Sequence, residues 1–132
     1  MTQDFYIENK VYYHDTDAGG VVYYGKYMEH LEEGRNEYLR HKGIELAEYA
    51  KKDILFPVVR VEIDYKSPAR YGDLIKIFTR PEKVGNASAQ FYQEIKKGET
   101  LLVKAKITVA CIGREFKAQV IPEEIRRALS SG

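Results

Sequence analysis

Tryptophan is absent from this 132-residue chain, and cysteine occurs once, at Cys111. A single thiol can neither close an intrachain disulfide nor build a cysteine cluster around a metal. Cys111 lies in an alternating apolar run, where a buried structural thiol is expected rather than a nucleophile. Neither sign of charge prevails: 21 Lys and Arg stand against 20 Asp and Glu, a formal net charge of +1. The chain therefore has no global basic field for nucleic acid or an anionic membrane, although local cations can still hold a small phosphorylated ligand. No apolar run approaches the ~20 residues needed to cross a bilayer. Met1-Thr2-Gln3-Asp4 lacks the basic start and apolar stretch of a signal peptide, so a cytoplasmic location is expected.

What is present describes one soluble globular domain over residues 1–132, with 44% hydrophobic and 31% charged residues. That length buries a core without disulfides or a structural metal. Phe5 to Tyr13 is rich in strand-favouring residues and runs into a turn-forming cluster, Asp15 to Gly20. The apolar period then becomes helical from Tyr24 to Lys42, with Tyr27, Leu31, Gly34 and Tyr38 on one stripe, flanked by Met28 and Leu39. Glu29, Glu32, Glu33, Arg35, Asn36, Glu37 and Arg40 form the charged face, and Gly43 marks the helix stop. Glycine inside a helix costs about 1 kcal/mol relative to alanine. Gly34 on the apolar stripe therefore implies a helix lying very close to a sheet.

After a short helical piece at 44–52, strand signals dominate. Val59, Val61, Ile63 and Tyr65 alternate with polar residues; further extended runs cover 74–79, 88–95 and 101–112. Short turns separate the last three, which predicts antiparallel hairpins. Pro122 opens a short terminal helix. One long helix followed by an antiparallel sheet is an α+β design. The sheet has more surface than one helix covers, so dimerisation through a sheet edge or a helix contact is expected.

Chemistry concentrates in the first turn. Asp15 and Asp17 stand just before Ala18-Gly19-Gly20, and the long helix begins a few residues later. Glycines let a ligand approach the backbone closely. The unpaired N–H groups of a helix start can polarise a carbonyl, and a neighbouring carboxylate can attack it or activate water. The same residues serve equally well as turn and capping groups, and composition alone leaves both readings open. His14 and His30 do not form a ligand spacing with the acids, so no metal is expected.

The stretch from Val11 through His14-Asp15-Thr16-Asp17-Ala18-Gly19-Gly20 to Tyr27 resembles the 4-hydroxybenzoyl-CoA thioesterase group, and most of all its YbgC-like acyl-CoA thioesterase branch. The likeness continues through Glu33-Gly34-Arg35-Asn36-Glu37, Phe56-Pro57-Val58-Val59-Arg60 and Tyr65-Lys66-Ser67-Pro68-Ala69-Arg70. The resemblance implies the hotdog fold, an antiparallel sheet wrapped around one long central helix, in homodimers or homotetramers. It implies thioester hydrolysis of an acyl-CoA, or of an acyl carrier protein, without a cofactor beyond the coenzyme A of the substrate.

Carried over residue by residue, the resemblance puts the catalytic carboxylate at Asp17, as nucleophile or general base. It puts the carbonyl-polarising backbone N–H at Tyr24 and a site-lining tyrosine at Tyr13. The branch commonly has histidine where this chain has Tyr24, and an acid where it has His14. A backbone role survives the first change, because every non-proline residue supplies an N–H. Arg60, Lys66, Arg70 and Lys83 are candidate cations for coenzyme A phosphates. The rival carboxylates Glu29, Glu32 and Glu33 run with the solvated helix face. The rival function is a non-catalytic acyl-CoA-binding or regulatory module of the same fold.

Overall fold

The computed structural model describes residues 4–130. Strand β1 (Tyr6–Lys10) leads through a single 3-10 turn at Tyr13–Asp15 into helix α1 (Tyr24–His41). Helix α2 (Leu46–Ala50) follows, then strands β2 (Val58–Tyr65), β3 (Leu74–Val84), β4 (Ser88–Lys97) and β5 (Thr100–Ala110). A 3-10 turn at Arg114–Phe116 precedes the terminal helix α3 (Glu123–Ser130). The five strands form one antiparallel sheet in the order β1-β3-β4-β5-β2. This is the α+β architecture expected from the pattern.

The alternation of side chains decides which sheet face is buried. Ile75, Ile77 and Thr79 of β3, Phe91, Gln93 and Ile95 of β4, and Val103, Ala105 and Ile107 of β5 all point inward. Helix α1 lies on this face with Tyr27, Leu31, Gly34, Tyr38 and Leu39 buried, the stripe that its period predicts. It also buries His30 and Arg35. Arg35 had been assigned to the charged face. The correction is physical: it follows Gly34, where the helix is pressed so close to the sheet that its neighbour is enclosed too. Cys111 is fully buried, and burial pushes its thiol pKa up, in keeping with a structural role.

Two strands repay attention for what they leave open. Pro81 sits beyond Phe78, where β1 has ended, beside a register shift, so β3 needs no outward N–H there. β2 is the sheet edge. Its Val61, Ile63 and Tyr65 oppose Ile107, Ala105 and Val103, which places them on the inner face as their alternation predicts. Yet Val59, Val61 and Tyr65 are exposed, because among the described residues no strand pairs with the outer side of β2.

The close approach at Gly34 is measurable. A Cβ there would meet Ile77 Cγ2 at 2.7 Å, Thr79 Oγ1 at 2.9 Å and Gln93 Nε2 at 3.1 Å. Gly34→Ala should therefore lower stability by roughly 1–3 kcal/mol through overpacking, despite alanine's better helix propensity. Urea denaturation of the purified variant measures this; equal or raised stability would show that α1 can lift off the sheet.

Candidate active site

The turn between β1 and α1 is fixed by backbone bonds on both sides. Val11 N donates to Asp73 O (2.8 Å) and Val22 N to Ala69 O (2.9 Å), tying both ends to the loop that follows β2. Inside the turn Asp17 N donates to Val21 O (2.9 Å) and Gly20 N to Asp17 O (3.1 Å). Gly20 adopts φ +80°, the left-handed conformation that favours glycine. Asp17 Oδ1 accepts from Gly19 N at 2.8 Å. That bond is the turn-capping role which composition suggests. It occupies one carboxylate oxygen, and the residue as a whole is exposed.

Asp17 faces a cavity of about 420 Å³ that it lines together with Tyr23, Tyr24, Tyr27, Tyr65 and Lys66. Tyr24 is the first residue of α1, so its N–H has no carbonyl one turn earlier to bond. The helix dipole adds partial positive charge at the same end. The Tyr24 and Tyr65 rings lie 4.7 Å apart and those of Tyr27 and Tyr65 5.5 Å, forming an aromatic wall. Tyr27 is held rigidly, because its hydroxyl accepts from Ala69 N at 2.9 Å. Burial pushes the phenol pKa of Tyr27 and Tyr65 up, so both rings stay neutral at ordinary pH.

The structure thus brings Asp17, the start of α1 at Tyr24 and Lys66 together. It leaves the other expected site residues outside this cavity. Tyr13 is 77% exposed and packs edge-to-face on Tyr71. Arg60 is ion-paired with Glu62 at 2.8 Å along β2, and Arg70 lies beyond the lining residues. Lys83 sits near the far end of β3, opposite Gln90. The rival acids Glu29, Glu32 and Glu33 are exposed along α1 and do not line the cavity.

Asp15 parts company with Asp17. It is 4% exposed, and its Oδ2 accepts from Tyr12 N at 2.9 Å, beneath the turn. Three basic side chains surround it: His14 Nδ1 at 3.3 Å, His30 Nε2 at 3.8 Å and Lys26 Nζ at 3.9 Å. Asn9 Nδ2 reaches both His30 Nδ1 (2.9 Å) and Glu33 Oε1 (2.8 Å). An amide nitrogen only donates, so Nδ1 of His30 accepts and its proton sits on Nε2, toward Asp15. Sequence reasoning missed His30 as the anchor of the turn. The available signal was its place three residues after Tyr27, on the buried stripe.

The thioesterase superfamily model matches residues 19–104, beginning two residues after Asp17. The acyl-CoA thioester hydrolase YbgC of Escherichia coli O157:H7 is 36% identical over 118 residues, 88% of each chain. The acyl-CoA thioesterase YbgC of Haemophilus influenzae is 35% identical over 121 residues, 90% of this chain and 89% of that one. Among solved structures, a 1,4-dihydroxy-2-naphthoyl-CoA thioesterase from Synechocystis superposes with a TM-score of 0.89 at 26% identity, covering 97% of this chain and 96% of the other. The chain belongs to the thioesterase superfamily, and its sheet and helix form the hotdog fold.

If Asp15 anchors the turn, Asp15→Ala removes the acceptor of Tyr12 N–H and the carboxylate that faces the buried His30. A loss of about 1–3 kcal/mol is expected, read as a fall in the thermal unfolding midpoint. An unchanged midpoint would mean that the backbone bonds hold the turn unaided.

Proposed function

We propose that the chain hydrolyses acyl-CoA thioesters in the cavity between Asp17 and the start of α1. The reaction class, thioester hydrolysis, is that of the family. The observation that supports this location is the pairing of a half-free carboxylate with an unbonded helix-start N–H in one aromatic-walled cavity. The thioester carbonyl accepts from Tyr24 N–H, and its interaction with the fixed helix dipole strengthens as charge develops on that oxygen. Asp17, through the carboxylate oxygen that Gly19 does not hold, either attacks the carbonyl and expels the CoA thiolate, leaving a mixed anhydride that water hydrolyses, or deprotonates a water whose attack on the carbonyl expels that thiolate. Lys66, which lines the same cavity, is the cation this reading assigns to the charged portion of the thiol half. Tyr24 supplies its ring to the wall and its amide to the reaction, so no histidine is required at that position.

Asp17→Asn separates chemistry from architecture, since the amide oxygen can still accept from Gly19 N. Turnover should fall by ~10²–10⁴ with the unfolding midpoint held, whereas Asp17→Ala should lose both. Thiol release from a panel of acyl-CoAs, followed with a thiol-reactive dye, measures this. Near wild-type turnover in Asp17→Asn would reject the assignment. Acyl-CoA binding without turnover in the unaltered protein would favour the binding-module reading instead.

The bare edge of β2 supports a homodimer in which this strand pairs antiparallel with its copy, covering Val58, Val59 and Val61. Val59→Lys combined with Val61→Lys should convert the assembly to monomer in light scattering. A mass unchanged by both lysines would place the interface elsewhere.

A further inference from the structure

Arg35 is 6% exposed, yet among the described residues its only hydrogen bond is from Nη1 to Gln93 Oε1 at 3.0 Å. Gln93 is neutral, and its amide nitrogen is already engaged with Leu31 O and Thr79 Oγ1, each at 2.9 Å. Among the described residues no carboxylate forms an ion pair with Arg35. A guanidinium is a fork of several N–H donors that fits a carboxylate through two parallel bonds. Burial pulls the pKa of this one down to about 10, only partly countered by the field of Glu32. It remains a cation at neutral pH.

Arg35 also lines a cavity of about 430 Å³, distinct from the one at Asp17. The rest of that lining is largely apolar, including Leu39, Leu46, Ala50, Phe91, Val109 and Leu129. Val58, at the opposite end of β2 from Tyr65, borders it. The two cavities are therefore separated along that strand by roughly 23 Å at ~3.3 Å per residue. Glu32 and Asn36 also border the cavity, both exposed at its rim, so the buried polar group within the greasy walls is the guanidinium, which is complementary to an apolar body carrying a single anionic oxygen pair.

We propose that this second cavity binds the carboxylate end of an apolar acid, with Arg35 clasping the carboxylate and the walls enclosing the chain. Two sources share that chemistry. One is a free monocarboxylic acid, the class of product that thioester hydrolysis releases. The other is the far carboxylate of a dicarboxylic acyl chain. Antiparallel pairing of β2 with its copy brings the Val58 end of one strand beside the Tyr65 end of the other, and so sets this cavity near the partner copy's catalytic turn. The second source rests on the thioesterase reading; acid binding itself does not.

Isothermal titration of the intact protein with octanoate, octanol and methyl octanoate tests the site without turnover. Octanoate should bind at least about tenfold more tightly than the two neutral ligands, the increment of a charge-assisted contact. Arg35→Gln should erase that preference. Ala50→Phe, which fills the cavity and leaves the Arg35–Gln93 bond in place, should weaken all three ligands; it decides the matter if Arg35→Gln does not fold. Equal binding of octanoate and octanol, or octanoate affinity unchanged in Ala50→Phe, would overturn the proposal. The sources separate in kinetics: a higher kcat/KM for octanedioyl-CoA than for octanoyl-CoA identifies a substrate terminus, and inhibition by octanoate with no such preference identifies the free acid. Octanoate preference with no thioesterase turnover would sink the proposed function and spare this site. Turnover without octanoate preference would do the reverse.

Discussion

The contact between α1 and the sheet at Gly34 governs the rest of the structure. With no side chain at that position, the helix settles against Ile77, Thr79 and Gln93 at a distance that any Cβ would forbid. Gln93 then bonds the helix carbonyl of Leu31 and the hydroxyl of Thr79, so that the close approach is also a polar joint. A helix held so tightly in its middle has little freedom at its start, ten residues earlier along the same rigid rod. The unbonded amide of Tyr24 is consequently presented from a fixed place, which is what electrostatic stabilisation of a developing oxyanion requires. The helix start proposed as the carbonyl-polarising group and the buried guanidinium in the middle of α1 both follow from the same packing constraint.

Much of this was legible in the residues because the periods were clean. The helical stripe through Tyr27, Leu31, Gly34 and Tyr38 is the buried stripe, and the inward faces of β3, β4 and β5 follow their alternation. Gly34 announced itself by its cost in a helix interior. The expected strand bounds were less faithful. β3 runs on to Val84 and carries Pro81 where β1 no longer faces it, a tolerance that depends on the length of a neighbouring strand and is invisible in local pattern. β2 reads as a half-buried strand but remains an uncovered edge within one chain, because burial there depends on what lies beside it.

The site was legible only in part, for a related reason. Asp17 and Lys66, far apart in sequence, meet because Val22 and Val11 are pinned to the loop after β2. Arg60, Arg70 and Lys83 were plausible by charge alone, but strand direction and register carry them away from that cavity. Arg35 and His30 were passed over because polar residues on a helix default to solvent. Both are enclosed, His30 under the turn and Arg35 beside the closest approach of helix and sheet. Buried polar groups betray themselves through their partners, which a one-dimensional pattern does not list.

The two aspartates of the turn show how one local sequence divides two tasks. Asp15 is buried, accepts a backbone N–H and faces Lys26 and two imidazoles, so its energy is spent on shape. Asp17, two residues on, gives one oxygen to Gly19 and keeps its other oxygen clear of the turn, in a residue that is exposed. The oxygen committed to the glycine fixes the carboxylate plane, and the free oxygen inherits that orientation without losing its lone pairs. Capping and the catalytic role proposed for Asp17 are thus compatible uses of one carboxylate: the bond that makes Asp17 look like an ordinary turn residue would also aim it.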